Sequence, residues 1–156
     1  MQFSSGIAIP RSVVAGALGA PEDSLPPGDL PLSRFAARYL ASLAAPEAED
    51  PPEAWTQHLI LGLVRAHPHL ALAAIRAALD LAPDADTLAM IAAGPLEDLL
   101  TDHGATLIGD IERAAPSCPR LRDALTAVPG HDLKPLLRAR LEAASVVETG
   151  EDDPPR

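Results

Sequence analysis

Glu97, Asp98, Asp102 and His103 stand close together in the segment Ala-Ala-Gly-Pro-Leu-Glu-Asp-Leu-Leu-Thr-Asp-His-Gly, residues 92–104. Three carboxylates and an imidazole are the raw material of general acid–base catalysis or of a metal site. Their spacing decides whether they can act together. With Gly94 as N-cap and Pro95 at the first helical position, Leu96, Leu99, Leu100 and His103 fall at i, i+3, i+4 and i+7 on one face. Asp98 and Asp102 share another face, so the imidazole points away from them. Each polar residue also has a local structural role to fill. Glu97 can reach back to the cap N–H, and Asp98 suits the positive end of the helix dipole. His103 can bond the last carbonyls, and Gly104 suits a left-handed C-cap. The competing reading makes Glu97, Asp98 and His103 the lining of a pocket between helices, which requires a carboxylate from another helix beside His103.

The remaining candidates are weaker. His67 and His69 flank Pro68 at a helix junction, and residues i and i+2 of a helix do not share a face. With no acid between Ala54 and Asp80 to complete a site, no metal is expected there. Cys118 is the only cysteine, which excludes an intrachain disulfide and a cysteine metal site. No positioned base accompanies it. Trp55, the sole tryptophan, begins an apolar stripe with Leu59, Leu63 and Ala66 and reads as a core anchor rather than a binding platform. The sequence contains no P-loop, dinucleotide fingerprint, nucleophile elbow or zinc motif. Neither a cofactor nor an enzymatic activity is expected.

The elements that would carry these residues are helical throughout. There are 30 alanines and abundant leucine, whereas aromatic residues make up 3% of the chain. Helix formers dominate and strand formers are scarce. Residues 1–30 hold Pro10, Pro21, Pro26 and Pro27 and read as an extended arm, with at most a short helix near residues 12–18. Ser33 caps a helix that Pro46 ends, and an acidic, proline-rich connector follows at 46–53. Pro68 opens a helix that is apolar nearly all round, which places it at the centre of the fold. Its Arg76 and Asp80 are spaced to pair. Asp84 or Asp86 caps the next helix. Two more follow, on either side of Gly104, and Pro119 and Pro135 open the last two. The expected fold is an all-α compact array of seven to eight short helices over 31–145, with a short helical-repeat (solenoid) arrangement as the alternative. Residues 146–156 read as a disordered acidic tail.

The net charge is −10. Such a chain repels phosphates, so direct nucleic-acid binding is not expected. The charge is also segregated. Asp80, Asp84, Asp86, Glu97, Asp98, Asp102, Asp110 and Glu112 occur without a single Lys or Arg between 77 and 112. Arg113, Arg120, Arg122, Lys134, Arg138 and Arg140 then face only Asp123 and Asp132. Either the two halves neutralise each other as helices pack, or the acidic half meets a basic partner. No apolar run is long enough to span a bilayer. The first residues end in Ala-Leu-Gly-Ala but lack a basic start, and Arg11 interrupts them, so a cytoplasmic protein is expected.

The 92–104 segment resembles a family of small bacterial domains of unknown function. Its members share Ala-x-Gly-Pro-Leu-Glu-Asp-Leu-Leu, a nearby His-Gly, and an upstream tryptophan in an apolar helix. Here these correspond to Gly94 through Leu100, to His103-Gly104 and to Trp55. The similarity covers about residues 54–128. It departs downstream, where Val128-Pro129-Gly130 stands in place of a second tryptophan. The resemblance implies a helical fold and supplies no activity. The expected function is therefore non-enzymatic: an acidic helical protein that binds a protein partner, a basic one, in the manner of immunity proteins, antitoxins or inhibitors. Asp80, Asp84, Asp86, Glu97, Asp98, Asp102 and His103 are the expected contact residues. The alternatives are an enzyme or small-ligand domain using the Glu97/Asp98/His103 pocket, and a structural subunit of a larger assembly.

Overall fold

Alanine and leucine alternate through Pro68–Leu81, and this helix, α4, is the one around which the others gather. The computed structural model describes residues 8–44 and 53–146. In chain order they form a two-residue strand β1 (Ala8–Ile9), α1 (Arg11–Leu18), a 3-10 turn, β2 (Leu30–Pro31), α2 (Leu32–Ala44), α3 (Ala54–Ala66), α4, α5 (Ala85–Ile91), α6 (Glu97–Ala114), α7 (Pro119–Ala127) and α8 (Pro135–Ser145). Helix α4 packs against α2, α3, α5, α6 and α7. Its Ala71, Ala74 and Ala78 are fully buried, and these small side chains let neighbouring backbones approach closely. The larger volume comes from around it: Phe35 from α2, Leu59 and Leu63 from α3, Leu99, Leu100, Leu107 and Ile111 from α6, all fully buried. Each such side chain stabilises the fold by roughly 1.5–3 kcal/mol of transfer free energy. The all-α expectation holds, as a compact array in which one helix is surrounded. Among the described residues no helix is long and apolar enough to cross a membrane.

The proline signals mark helix starts. Pro68, Pro119 and Pro135 each occupy the first turn of a helix, where the missing N–H has no intrahelical partner to lose. Asp84 caps α5, its Oδ1 accepting the Thr87 N–H at 2.8 Å.

Three local expectations change. Of the 1–30 segment read as an extended arm, the described part carries the short helix expected near 12–18, α1, but it packs on α3 and enters a short antiparallel ladder pairing Ala8 with Pro31 and Ile9 with Leu30. Ile9 and Val14 join the core from this segment. Gly104 does not end a helix: α6 runs on through it to Ala114, departing from helical geometry only at His103 (φ −135°, ψ 16°). The glycine leaves room for the Leu137 side chain of α8, whose Cδ2 would have to shift to admit a Cβ. Between α5 and α6 the chain makes one wide π-type turn, Ala92–Leu96, leaving helical geometry at Gly94. The connector 46–53, apart from Glu53, and the acidic tail, apart from Val146, lie outside the described residues.

Candidate functional site

The turn at Gly94 sets where α6 begins and therefore which way its side chains face. Leu96, Leu99 and Leu100 point inward and are fully buried. Glu97 sits at the edge of this apolar strip, half-buried. Its carboxylate does not return to the start of its own helix. Oε2 accepts the backbone N–H of Gly130 at 3.2 Å, in the turn between α7 and α8. Gly130 is buried and has φ 70°, a conformation that favours glycine. Glu97 thus satisfies a buried N–H that the helices of the turn leave unpaired.

Asp98 and Asp102 are exposed on the outer face of α6. Asp98 is pushed above the usual carboxylate range, first by partial desolvation and then by the negative charges of Asp102 and Glu97. His103 is half-buried at the kink, and among the described residues no hydrogen bond joins it to a carboxylate. Asp80, Asp84 and Asp86 are exposed around the α4–α5 junction. The capping bonds from Thr87 hold Asp84 below its usual range. The aspartates among the seven candidates fall at two places, the α4–α5 junction and the start of α6, and His103 follows Asp102 at the kink.

The arginines that follow leave most of these acids unpaired. Arg120 Nη1 donates to the carbonyls of Leu79 and Ala82 at 3.0 and 2.6 Å, closing the C-terminus of α4. Arg122 Nη1 donates to Ala115 and Pro116 at 2.7 and 2.9 Å, closing the end of α6. Both exploit the negative end of a helix dipole. Arg140 forms a two-point pair with Glu112, from Nε at 2.8 Å and from Nη2 at 2.5 Å. Arg113 pairs with Asp110, and Arg138 with Glu142. Arg76 does not meet Asp80; its Nη2 donates to Cys118 Sγ at 3.1 Å. Of the eight acids between 77 and 112, only Asp110 and Glu112 have cationic partners among the described residues, and Asp110 also receives His69 Nε2 at 3.3 Å. Among the described residues no group of three or more His, Cys, Asp and Glu side chains is arranged to hold a metal ion.

Sequence reasoning missed one feature. Trp55 packs against the core as expected, but it is only half-buried and also lines a cavity of about 380 Å³ together with Arg11 and Arg34. No spacing rule could have revealed this, because its walls come from segments far apart in the chain.

Fold and site together define a small all-α domain whose exposed aspartates stand at the α4–α5 junction and at the start of α6. A model of a family of unknown function (DUF6869) matches residues 43–149. That span is more than half of the chain, and the protein belongs to this family. Neither a curated protein nor a solved structure matches it.

Proposed function

We propose that the protein is a non-enzymatic binding module whose acidic surface takes a basic protein partner. The observation that carries this reading is the fate of the arginines. Among the described residues, the bases of 113–140 pair with only Asp110 and Glu112 of the eight acids between 77 and 112. Arg120 and Arg122 close the carbonyl ends of α4 and α6, and Arg140 takes Glu112. Asp80, Asp84, Asp86, Asp98 and Asp102 remain exposed, without an ion pair among the described residues. Leu81 and Met90, 50% and 45% exposed, lie in the same stretch of chain and offer apolar contact beside the charge. Charge of one sign steers association and selects the partner, and apolar contact supplies affinity. Glu97 and His103 take no part. One holds the α7–α8 turn, and the other is half-buried at the kink of α6.

The test is capture from lysate of the source cells at low and high salt. Wild type is compared with a variant carrying Asp80, Asp84, Asp86, Asp98 and Asp102 as Asn. Asparagine caps a helix as well as aspartate does, so α5 keeps its start. The expected result is one basic protein, retained by wild type, lost with the variant and weakened by salt. A partner retained equally by the folded variant overturns the reading.

A further inference from the structure

The cavity beside Trp55 has the size of a small-ligand site, about 380 Å³. Its walls come from α1, the loop at 25–30, the start of α2 and the first turn of α3. They are mostly apolar, with Val14, Leu18 and Leu30 lining it together with Trp55. Two guanidinium groups interrupt them, Arg11 and Arg34. One carboxylate shares the wall, that of Asp29, and its Oδ1 accepts the backbone N–H of Arg11 at 3.0 Å.

Among the described residues neither guanidinium forms an ion pair, and the Asp29 carboxylate is engaged by the Arg11 backbone N–H rather than by its side chain. Arg11 Nη2 donates to the neutral carbonyl of Leu25 at 2.7 Å, and its Nε is buried without a partner among the described residues. Arg34 makes no ion pair among the described residues. A half-buried cation answered only by a carbonyl leaves part of its desolvation uncompensated, and an anion arriving nearby restores that balance. The frame is already in place. The β1–β2 ladder closes the 10–29 loop at its base, Pro26 and Pro27 stiffen it, and Gly28 turns it at φ 90°. Such a site loses little freedom when it is filled.

We infer that this cavity binds a small carboxylic acid with an apolar or aromatic body, the carboxylate lying between Arg11 and Arg34 and the body against Trp55, Val14, Leu18 and Leu30. The site draws Arg11 and Arg34 from outside the span matched by the family and Trp55 from inside it. It does not depend on the acidic surface.

Trp55 is the only tryptophan, so its fluorescence reports directly on the cavity. The experiment titrates the full chain with 3-phenylpropionate and, as the uncharged control, 3-phenylpropionamide. The expected result is a saturable change with the acid that is at least about tenfold weaker with the amide. Arg34 is exposed, so Arg34→Gln leaves the fold intact, and it is expected to weaken the acid by a similar factor without affecting the amide. Equal responses to acid and amide, or none up to about 10 mM acid, overturn the inference. A third titration uses Glu47→Gln, Glu49→Gln and Asp50→Asn combined. If the acid binds only when these charges are removed, the chain's own acidic connector is the occupant and the inference fails.

Discussion

Replacing Gly62 by alanine sets two opposing effects of known size against each other. In a helix interior alanine is favoured over glycine by about 0.8–1.0 kcal/mol. Gly16, in α1, has nothing within 4 Å of where a Cβ would stand, so Gly16→Ala gains this amount in full. Gly62, in α3, faces α1. A Cβ there would lie 2.6 Å from Ala17 Cβ and 3.1 Å from Ala17 Cα. Carbon atoms rest at about 3.5–4.0 Å, so α1 would have to move by about 1 Å. The obstacle includes backbone, which cannot rotate away as a side-chain end can. Overpacking of this kind costs about 1–3 kcal/mol. Gly62→Ala should therefore fall between neutral and about 2 kcal/mol destabilising, while Gly16→Ala stabilises by about 1 kcal/mol. For a chain of this size 1 kcal/mol moves Tm by about 2–4 °C, so thermal melts followed by circular dichroism resolve the two variants. Adding Ala17→Gly to Gly62→Ala should recover part of the loss, a coupling that a double-mutant cycle measures. If Gly62→Ala stabilises as much as Gly16→Ala, or the double variant is strictly additive, α1 does not pack on α3 as described.

Other perturbations test the electrostatics. Asp98→Asn removes one carboxylate from the pair with Asp102 at i+4 and should raise stability by about 0.2–0.5 kcal/mol at neutral pH. Because Asp98 sits above its usual range, its ionised form disfavours the fold. The gain should therefore shrink as pH falls and wild-type Asp98 takes up its proton, which acid titration of Tm checks. Asp84 and Glu112 behave in the opposite sense. Both are held below their usual values of 3.8 and 4.5, so their contribution is complete above those values and fades as pH falls through the lower folded values. Asp84→Ala and Glu112→Gln should accordingly flatten the acid limb of the melting curve. Arg120→Lys should cost about 1–2 kcal/mol, because an ammonium cannot serve both the Leu79 and Ala82 carbonyls in one geometry; urea unfolding measures it.

Much of the fold was legible because the signals are local. The alanine-rich 68–81 stretch, the prolines that open α4, α7 and α8, and the Asp84 cap are each settled within a turn or two of helix. What failed has a partner far along the chain. Gly104 looks the same in sequence whether it turns the chain or admits Leu137 from α8, and only the packed structure distinguishes the two. Glu97 had a plausible acceptor role at its own helix start, and Gly130 offered a buried N–H instead. Arg76 had Asp80 at the right spacing, yet it reaches Cys118. The acidic segment was visible as a run of charge. Its lack of neutralisation was not, because that depends on where Arg120, Arg122 and Arg140 end up. The Trp55 cavity was invisible for the same reason, since Arg11 and Arg34 approach it from another part of the chain.

The packing of α2 on α4 separates two boundaries that are easily taken as one. The stretch shared with the family begins at residue 43, yet Leu32, Phe35, Ala36 and Tyr39 of α2 are buried in the same core as the alanines of α4. The matched stretch is thus shorter than the core that this chain builds. Cut to 43–149, the chain would keep its signature and lose the cover of its central helix, leaving a greasy strip open to association. A chain of 43–149 alone would need another surface, from a second molecule or an added helix, to cover that strip.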